Sequence, residues 1–237
     1  MKKEKVYLKE CTSYDVKELY ALLKDAVRYL GITIPRGKKF LLKPNVLGAY
    51  TPEECITTHP AVVEAVAAIL MEHDAKIVLG DSSGNGQYGA TVRSLKKSGM
   101  TALGERMGFD VIAFDKHTNR VFESDASHVF REINLTTFID EVDYIVNIPK
   151  LKTHTFVSYS GAVKNFYGCI PGAGKPNGHL RAPSQDLFSH GLLDIYSFIK
   201  PKLFLNIMDG VRGMEGAGPG PAGKTRDIGF MAASTCA

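Results

Sequence analysis

Short apolar segments alternate with helix-periodic ones along most of this chain, and that alternation constrains the fold more than any other feature. KKFLLKP is followed by a helical pattern that begins at Pro60, and KIVLG comes directly after that helix. Sequential strands joined by a helix run parallel, because the helix carries the chain back to the starting end of the sheet. The sequence therefore predicts an α/β fold with a mainly parallel, doubly wound (Rossmann-like) sheet, helices on both faces, and strands near residues 39–43, 76–80, 109–114, 143–148 and 202–208.

The whole chain fits a single α/β domain over residues 1–237. Residues 115–134 predict an extra hairpin on the edge of the sheet, and residues 150–185 predict a glycine- and proline-rich basic loop insertion. The segment DIGFMAAS reads as a last strand without a helix to cover it. Because an uncovered parallel strand exposes apolar surface, we expect either an antiparallel edge strand or an incomplete fragment, and the pattern favours the fragment.

Polar residues follow each predicted strand and form the candidate site. In an open α/β sheet, ligands bind beyond the carboxyl ends of the strands. A single lysine or aspartate in such a place is usually surface charge, but several independent strand ends that deliver ionisable groups to one edge indicate a site. The residues concerned are Lys43, Asn45, Asp81, Ser82, Ser83, Lys150, Lys152 and His154, with Asp209, Arg212 and Glu215 after the KLFLNIM strand.

The loop GDSSGNG resembles a phosphate-binding loop, because small residues let backbone N–H groups approach an anion. It matches neither GxxxxGK[ST] nor GxGxxG. A flexible turn capped by Asp81 or Ser82 is an equally good interpretation.

Residues 144–185 contain no Asp or Glu, whereas the average acidic content of the chain would give about four. In extended backbone, Lys150, Lys152 and His154 lie on one face, because strand side chains alternate. Converging ammonium groups repel one another unless an anion is present, so we expect lowered lysine pKa values from like-charge repulsion. The segment predicts a pocket for a carboxylate or phosphate, to which Lys164 also contributes; a solvated basic loop is the alternative.

His59 in THP lies at or just before the start of the helix that begins at Pro60. The positive end of the helix lowers the pKa of the imidazole and favours its neutral form, which can donate a hydrogen bond or shuttle a proton. A plain capping role is the alternative. Cys169 is the cysteine inside the basic segment, and we expect a small buried side chain there in preference to a nucleophile.

Several classes of protein are excluded by composition and spacing. The net charge of +4 and the scattered basic residues are too weak a signal for nucleic-acid binding. The four cysteines have no CxxC spacing, so we expect no metal site and no cofactor within these residues. The chain has neither the apolar core of a signal peptide nor an apolar run that approaches the ~20 residues of a membrane span. We expect a cytoplasmic protein with reduced thiols and no membrane partner.

The ordered motifs KPN (43–45), THP (58–60), GDSSG (80–84), NIPKLKTH (147–154), GAVKNFYGCIPG (161–172) and MDG (208–210) resemble the domain of unknown function 362 family. Many members of that family carry a ferredoxin-like module, so the resemblance implies a redox setting. This chain has no CxxCxxC run, and a 4Fe–4S cluster would belong to a missing C-terminal module or to a ferredoxin partner. The residues that match the family motifs are Lys43, Asn45, His59, Asp81, Ser82, Lys150, Lys152, His154, Lys164, Asn165 and His179.

The residues and the resemblance together leave three functions open. The first is an oxidoreductase-associated domain that binds an anionic substrate or cofactor and receives electrons from an iron–sulfur module or a ferredoxin. The second is a non-catalytic module that binds an anion or a ferredoxin, and the third is a non-redox transferase, lyase or racemase. In the first, His154, His59 and Lys152 act in catalysis, and the anion is bound by Lys43, Asn45, Asp81, Ser82, Ser83, Lys150, Lys164, Asn165 and His179.

Overall fold

The computed structural model describes residues 4–84, 89–172 and 174–237. The helices within these residues are α1 (Val16–Leu30), α2 (Pro60–Met71), α3 (Ala90–Lys97), α4 (Met100–Met107), α5 (Ala162–Asn165), α6 (Gly174–Arg181) and α7 (Gln185–Ile199). The strands are β1 (Tyr7–Glu10), β2 (Lys39–Pro44), β3 (Lys76–Asp81), β4 (Asp110–Ala113), β5 (Asn119–Glu123), β6 (Glu132–Thr136), β7 (Tyr144–Ile148), β8 (Lys150–His154), β9 (Ser158–Ser160), β10 (Leu203–Gly216) and β11 (Gly223–Ser234).

The central sheet has the order β1-β11-β10-β7-β2-β3-β4, in which β10, β7, β2, β3 and β4 are parallel neighbours. The predicted α/β fold with a mainly parallel sheet is therefore confirmed, and each of the five predicted strands is present. The chain runs outward from β2 to β3 and β4 and then returns to place β7 on the other side of β2. This reversal between β2 and β7 creates a crevice at the carboxyl ends of the strands, where α/β proteins bind ligands.

Two apolar clusters cover the two faces of the sheet. Phe40 and Leu42 of β2 lie in one cluster with α1, α2 and α4, whereas Leu41 lies in the other cluster with α7. The alternation follows from the period of two along a strand, and a strand that is buried on both faces needs a continuous apolar sequence. The run FLL in β2 meets that need.

The ends of the helices have the caps that the sequence indicates. Asp15 accepts hydrogen bonds from the backbone N–H groups of Lys17 and Glu18 at the start of α1, and Gly31 ends that helix with a left-handed φ of 69°. Pro60 occupies the first turn of α2, where its missing N–H costs nothing.

The last strand is antiparallel on both sides, since β11 pairs with β10 and with β1. Of the two alternatives that the sequence leaves open for DIGFMAAS, the antiparallel strand is present, although β1 and not β11 forms the edge of the sheet. The strand β1 was not predicted, because YLKE contributes a single buried side chain, Tyr7, to the core.

The described residues between 150 and 185 are not the irregular loop that their glycine and proline content predicts. They form β8 and β9, the short helix α5 and the helix α6. β8 leaves the end of β7 through Pro149, pairs in parallel with β10 and pairs antiparallel with β9. The hairpin predicted for residues 115–134 exists as β5 and β6, but it forms a separate two-stranded sheet and not an extension of the main sheet's edge. Its buried side chains join the cluster around α7.

Candidate functional site

A cleft of about 580 Å³ lies at the carboxyl ends of β2, β3 and β7, where the sheet reverses its order. Its walls come from β8, α5 and α6 as well as from the loops that follow β2 and β3. Most of the predicted site residues line it, namely Asn45, Asp81, Ser82, Lys150, Lys152, His154, Lys164, Asn165 and His179. Lys43, His59 and Ser83 do not belong to its lining.

Lys43 and Asp81 form a buried ion pair beneath the cleft. The Lys43 Nζ lies 2.7 Å from Asp81 Oδ1, and both side chains are almost fully buried. Burial raises the pKa of Asp81, and the Lys43 ammonium opposes that rise. The backbone N–H groups of Val46 and Ser82 donate to the two carboxylate oxygens at 2.7 Å each. All of these donors favour the ionised carboxylate of Asp81. Because Lys43 is on β2 and Asp81 is on β3, the ion pair connects the ends of the two strands.

Lys150 and Asp209 form a second buried ion pair, in which Nζ and Oδ2 are 3.0 Å apart. The Tyr14 hydroxyl donates to Asp209 Oδ1 at 2.9 Å and accepts from Lys150 Nζ at 2.8 Å. The backbone N–H of His59 also donates to Asp209. The Asp209 carboxylate thus accepts three hydrogen bonds from the protein, and the Lys150 side chain donates two.

His59 lies in the Lys150–Asp209 network and not in the cleft lining. Its ring stacks on Tyr14 with centroids 3.7 Å apart, and its Nδ1 accepts the N–H of Ala61 as the N-terminal cap of α2. The pKa of His59 is lowered as the sequence predicts, but burial is the largest cause. The geometry supports the capping interpretation, which the sequence leaves open beside the catalytic one.

Lys152 lies two residues beyond Lys150 on β8 and has a different environment. Its Nζ donates to Asn45 Oδ1 at 2.6 Å and to the carbonyl oxygen of Ile56 at 2.7 Å. Burial, followed by the charges of Lys164 and Lys150, lowers the pKa of Lys152 to about 7. Like-charge repulsion was expected to be the cause, but desolvation outweighs it, because the side chain is only 2% exposed.

Lys164 on α5 has aromatic neighbours in place of a carboxylate. Its Nζ lies 5.3 Å from the centre of the Tyr167 ring and 5.5 Å from that of Phe188. Burial lowers the pKa of Lys164 to about 8. The His179 ring stacks on the Phe188 ring with their centroids 4.3 Å apart, so His179 packs against the aromatic residues around Lys164.

His154 is held in one tautomer by the backbone. Its Nδ1 accepts the N–H of Phe156 at 3.1 Å, which leaves the hydrogen of a neutral ring on Nε2. Burial and the charges of Lys164 and Lys152 lower the pKa of His154 to about 4. At neutral pH the side chain is therefore a hydrogen-bond donor through Nε2, and not the charged acid that a proton-delivering role needs.

Lys175 on α6 belongs to this site but was not among the candidates from sequence. Its Nζ donates to the carbonyl oxygen and hydroxyl of Ser82 at 2.8 and 2.7 Å and to the carbonyl oxygen of Ser83 at 3.1 Å. Burial lowers the pKa of Lys175 to about 7. The only signal in the sequence was its position in the acid-free segment. These bonds connect α6 to the described part of the GDSSGNG loop, and Asn85 and Gly86 of that loop lie outside the described residues.

Asn165 holds α5 against the strands beneath the cleft. Its side-chain N–H groups donate to the carbonyl oxygens of Lys43 and Pro44 and to Asn147 Oδ1 at 3.1, 3.3 and 2.8 Å. These bonds fasten α5 to the ends of β2 and β7 and so fix the backbone that carries Lys164. Cys169 is fully buried, and burial raises the pKa of its thiol to about 12, as suits the structural role expected for it.

The cleft carries an excess of positive groups. Lys43 and Lys150 have carboxylate partners. In the described part of the chain, no carboxylate lies within ion-pair distance of Lys152, Lys164 or Lys175, and we call these three the unpaired lysines. Within the same residues, no group of three His, Cys, Asp or Glu side chains is arranged to hold a metal ion. None of the described helices is both long and apolar enough to cross a membrane.

The arrangement defines an α/β domain with a cationic cleft at the point where the strand order reverses, and the comparisons with known proteins agree with the family suggested by the motifs. The model of the domain of unknown function DUF362 matches residues 40–237, and the chain belongs to that family. A relative is the thylakoid-associated protein sll1697 of Synechocystis sp., 32% identical over 234 residues that span 97% of this chain and 70% of the relative.

The fold is similar to that of the lactate racemase apoprotein from Thermoanaerobacterium thermosaccharolyticum. The TM-score is 0.53 at 12% sequence identity, and the match covers 97% of this chain and 54% of the racemase chain. The chain thus spans about half the length of that protein, and the likeness concerns the fold.

Proposed function

We propose that the cleft binds a small organic anion with a carboxylate or phosphate group and that Lys152 exchanges a proton with it. The observation that carries this proposal is the set of unpaired lysines, which are buried or half-buried without a carboxylate partner. A buried ammonium group is costly unless it is paired, so such a site either keeps its amines neutral or takes up an anion. A bound anion would supply the negative charge that these lysines lack among the described residues.

The unpaired lysines differ in how many of their N–H groups the protein already uses. Lys175 donates to three acceptors and has none left for a ligand. Lys164 faces aromatic rings and has no acceptor among the described residues, so its ammonium group is free to bind the anion. His154 adds an N–H from Nε2. Lys164 and His154 are therefore the groups to which we assign the anion.

Lys152 is the group to which we assign proton transfer. Its pKa of about 7 lets the side chain gain and lose a proton near neutral pH, as a general acid or base requires. His154, with a pKa of about 4, stays neutral and orients the ligand. This assignment favours the non-redox alternatives, in which a proton moves next to a carboxylate. The racemase with a similar fold acts, by its name, on lactate, which is a carboxylate.

The electron-transfer role comes from the family resemblance and stays a prediction. It would require an iron–sulfur module or a ferredoxin to supply electrons to the bound anion. Iron analysis of the longest natural form of the protein, purified without oxygen, tests that part separately.

A thermal-denaturation series against phosphate, pyrophosphate, citrate and pyruvate at fixed ionic strength tests the anion cleft. An anion at a hundred times its dissociation constant stabilises the folded state by about 2.7 kcal/mol. We expect at least one of these anions to raise the melting temperature of the wild type more than chloride does. Lys164→Met should abolish that rise, whereas the same change at exposed Lys97 should preserve it. Equal effects of chloride and all four anions would contradict the proposal.

A further inference from the structure

Resting on the proposed function, we infer that Lys152 is a nucleophile that forms an imine with the carbonyl carbon of a small 2-oxo carboxylate. The inference extends the site from binding an anion to a covalent step and names the class of substrate. It rests on the number and the charge of the acceptors around each lysine amine in and beneath the cleft.

The Nζ of Lys152 has two protein acceptors, Asn45 Oδ1 at 2.6 Å and the carbonyl oxygen of Ile56 at 2.7 Å. A neutral amine has two N–H groups and one lone pair, so these acceptors use both hydrogens. None of the described residues donates to the lone pair that remains, and Lys152 belongs to the cleft lining. The two acceptors thus fix the direction of the N–H groups, and the lone pair of the amine is oriented for attack on an electrophile.

The other buried lysines do not share this arrangement. Lys175 faces three acceptors, which suit the three hydrogens of an ammonium group and leave no lone pair. Lys43 and Lys150 also have two acceptors each, but one of the two is a carboxylate, which is the partner of an ammonium group. Lys152 is the buried lysine of the described residues whose surroundings match a neutral amine. Its lowered pKa agrees with that geometry, since a large part of the side chain is uncharged at neutral pH.

The anion groups that we assign to Lys164 and His154 restrict what can reach Lys152. Lys164 is near enough for its charge to be the second cause of the lowered pKa of Lys152. A ligand whose carboxylate binds Lys164 brings its neighbouring carbon towards the Lys152 amine. For an imine to form, that carbon must be a carbonyl, and a carboxylate with an adjacent carbonyl is a 2-oxo acid.

The step balances without an oxidant or reductant. The lone pair of Nζ attacks the carbonyl carbon and forms the C–N bond, while the electron pair of the C=O π bond moves to oxygen. A proton from solvent neutralises that oxygen, so the Lys164 ammonium keeps the charge that binds the carboxylate. The nitrogen then loses one proton, the hydroxyl leaves as water after a second protonation from solvent, and the C=N bond forms. The products are the protonated imine, which is the form that cyanoborohydride reduces, and one water molecule; loss of the remaining N–H proton to solvent gives the neutral imine.

Reductive trapping tests the inference. The wild-type protein is incubated with glyoxylate, pyruvate or 2-oxoglutarate and sodium cyanoborohydride, and the products are analysed by intact mass and peptide mapping. We expect one adduct per chain, with a mass increase of the 2-oxo acid less one oxygen atom, located on Lys152. Lactate, which has a hydroxyl in place of the ketone carbonyl, should give no adduct under the same conditions.

Two variants keep the result interpretable. Lys152→Met should give no adduct, and Lys97→Met should react like the wild type; circular dichroism and melting curves establish that both are folded. Thermal shifts with the same acids, measured without the reductant, separate the two levels of the proposal. Stabilisation without an adduct would overturn the imine and leave the anion cleft intact. The absence of both an adduct and stabilisation would overturn the imine, and it would also overturn the anion cleft if phosphate, pyrophosphate and citrate fail to stabilise the protein. Adducts spread over exposed lysines would overturn the role of Lys152.

Discussion

Lys150 and Lys152 lie on the same face of β8, two residues apart, and both are almost fully buried. Lys150 pairs with Asp209 and Tyr14, so its charge is neutralised inside the protein. Lys152 meets a side-chain amide, a backbone carbonyl and the positive field of Lys164. The same residue type at successive positions of one strand face thus has two uses. Lys150 has a carboxylate partner and Lys152 has none among the described residues, and the role that we propose for Lys152 is based on this difference.

The largest expected difference between the two lysines is in stability. Lys150→Met leaves the Asp209 carboxylate buried without its counter-ion, and the loss of one partner of a buried pair costs about 3–5 kcal/mol. Lys152→Met leaves two unpaired acceptors, at about 1–3 kcal/mol, and removes an amine whose burial is itself unfavourable. Urea unfolding of both variants measures the difference. Equal losses would show that the ion pair does not distinguish these positions.

The Lys43–Asp81 pair can be disturbed without changing a charge. A Cβ at Gly168 would contact Asp81 Oδ1 and would lie 2.7 Å from Lys43 Nζ, so Gly168→Ala forces this pair apart. We expect a loss of about 1–3 kcal/mol, typical of an overpacked buried position. Gly220→Ala is the matched control, because a Cβ there meets nothing within 4 Å. A Gly168→Ala variant as stable as that control would contradict the tight packing around the pair.

The unpaired lysines should make stability depend on pH in alkaline solution. The pKa of Lys152 is about 7 in the folded protein and about 10.5 in the unfolded chain, so the unfolded state binds more protons between these values. Stability should therefore rise with pH from about 7 to 10.5, by about 1.4 kcal/mol per pH unit for each such lysine. Lys152→Met should show a shallower rise than wild type in buffers without multivalent anions. Parallel curves for the two proteins would mean that Lys152 has an ordinary pKa.

The smallest effect is expected at His59. His59→Asn keeps an N-terminal cap for α2 and loses the stacking on Tyr14, which is worth about 0.5–1.5 kcal/mol. Because His59 does not line the cleft, the anion-induced rise in melting temperature should equal that of the wild type. A His59→Asn variant that folds but is no longer stabilised by anions would show that His59 takes part in anion binding.

The sequence predicts the parts of this molecule that depend on local pattern. Continuous apolar runs such as FLL in β2 identify the buried parallel strands, and alternation along β8 correctly puts Lys150 and Lys152 on one face. The antiparallel pairing of β11 with β1 joins segments at opposite ends of the chain, and no local pattern indicates it.

The charge balance of the cleft could not be read from the sequence for a similar reason. The acid-free segment 144–185 is neutralised in part from outside, because Asp209 on β10 reaches Lys150. Only the fold determines which lysines receive a carboxylate. Lys175 was overlooked because no strand end or motif sets it apart, and its role follows from its contact with Ser82 across 93 residues.

The most direct test of the central claim is the titration of the lysine side chains by NMR, with ¹⁵N-labelled lysine and assignment through Lys152→Met and Lys150→Met. Without an added anion, we predict that the Lys152 signal titrates near pH 7. Addition of a binding anion should raise that midpoint, because the negative charge stabilises the ammonium form. A Lys152 signal that titrates near 10.5 both with and without anions would contradict the account.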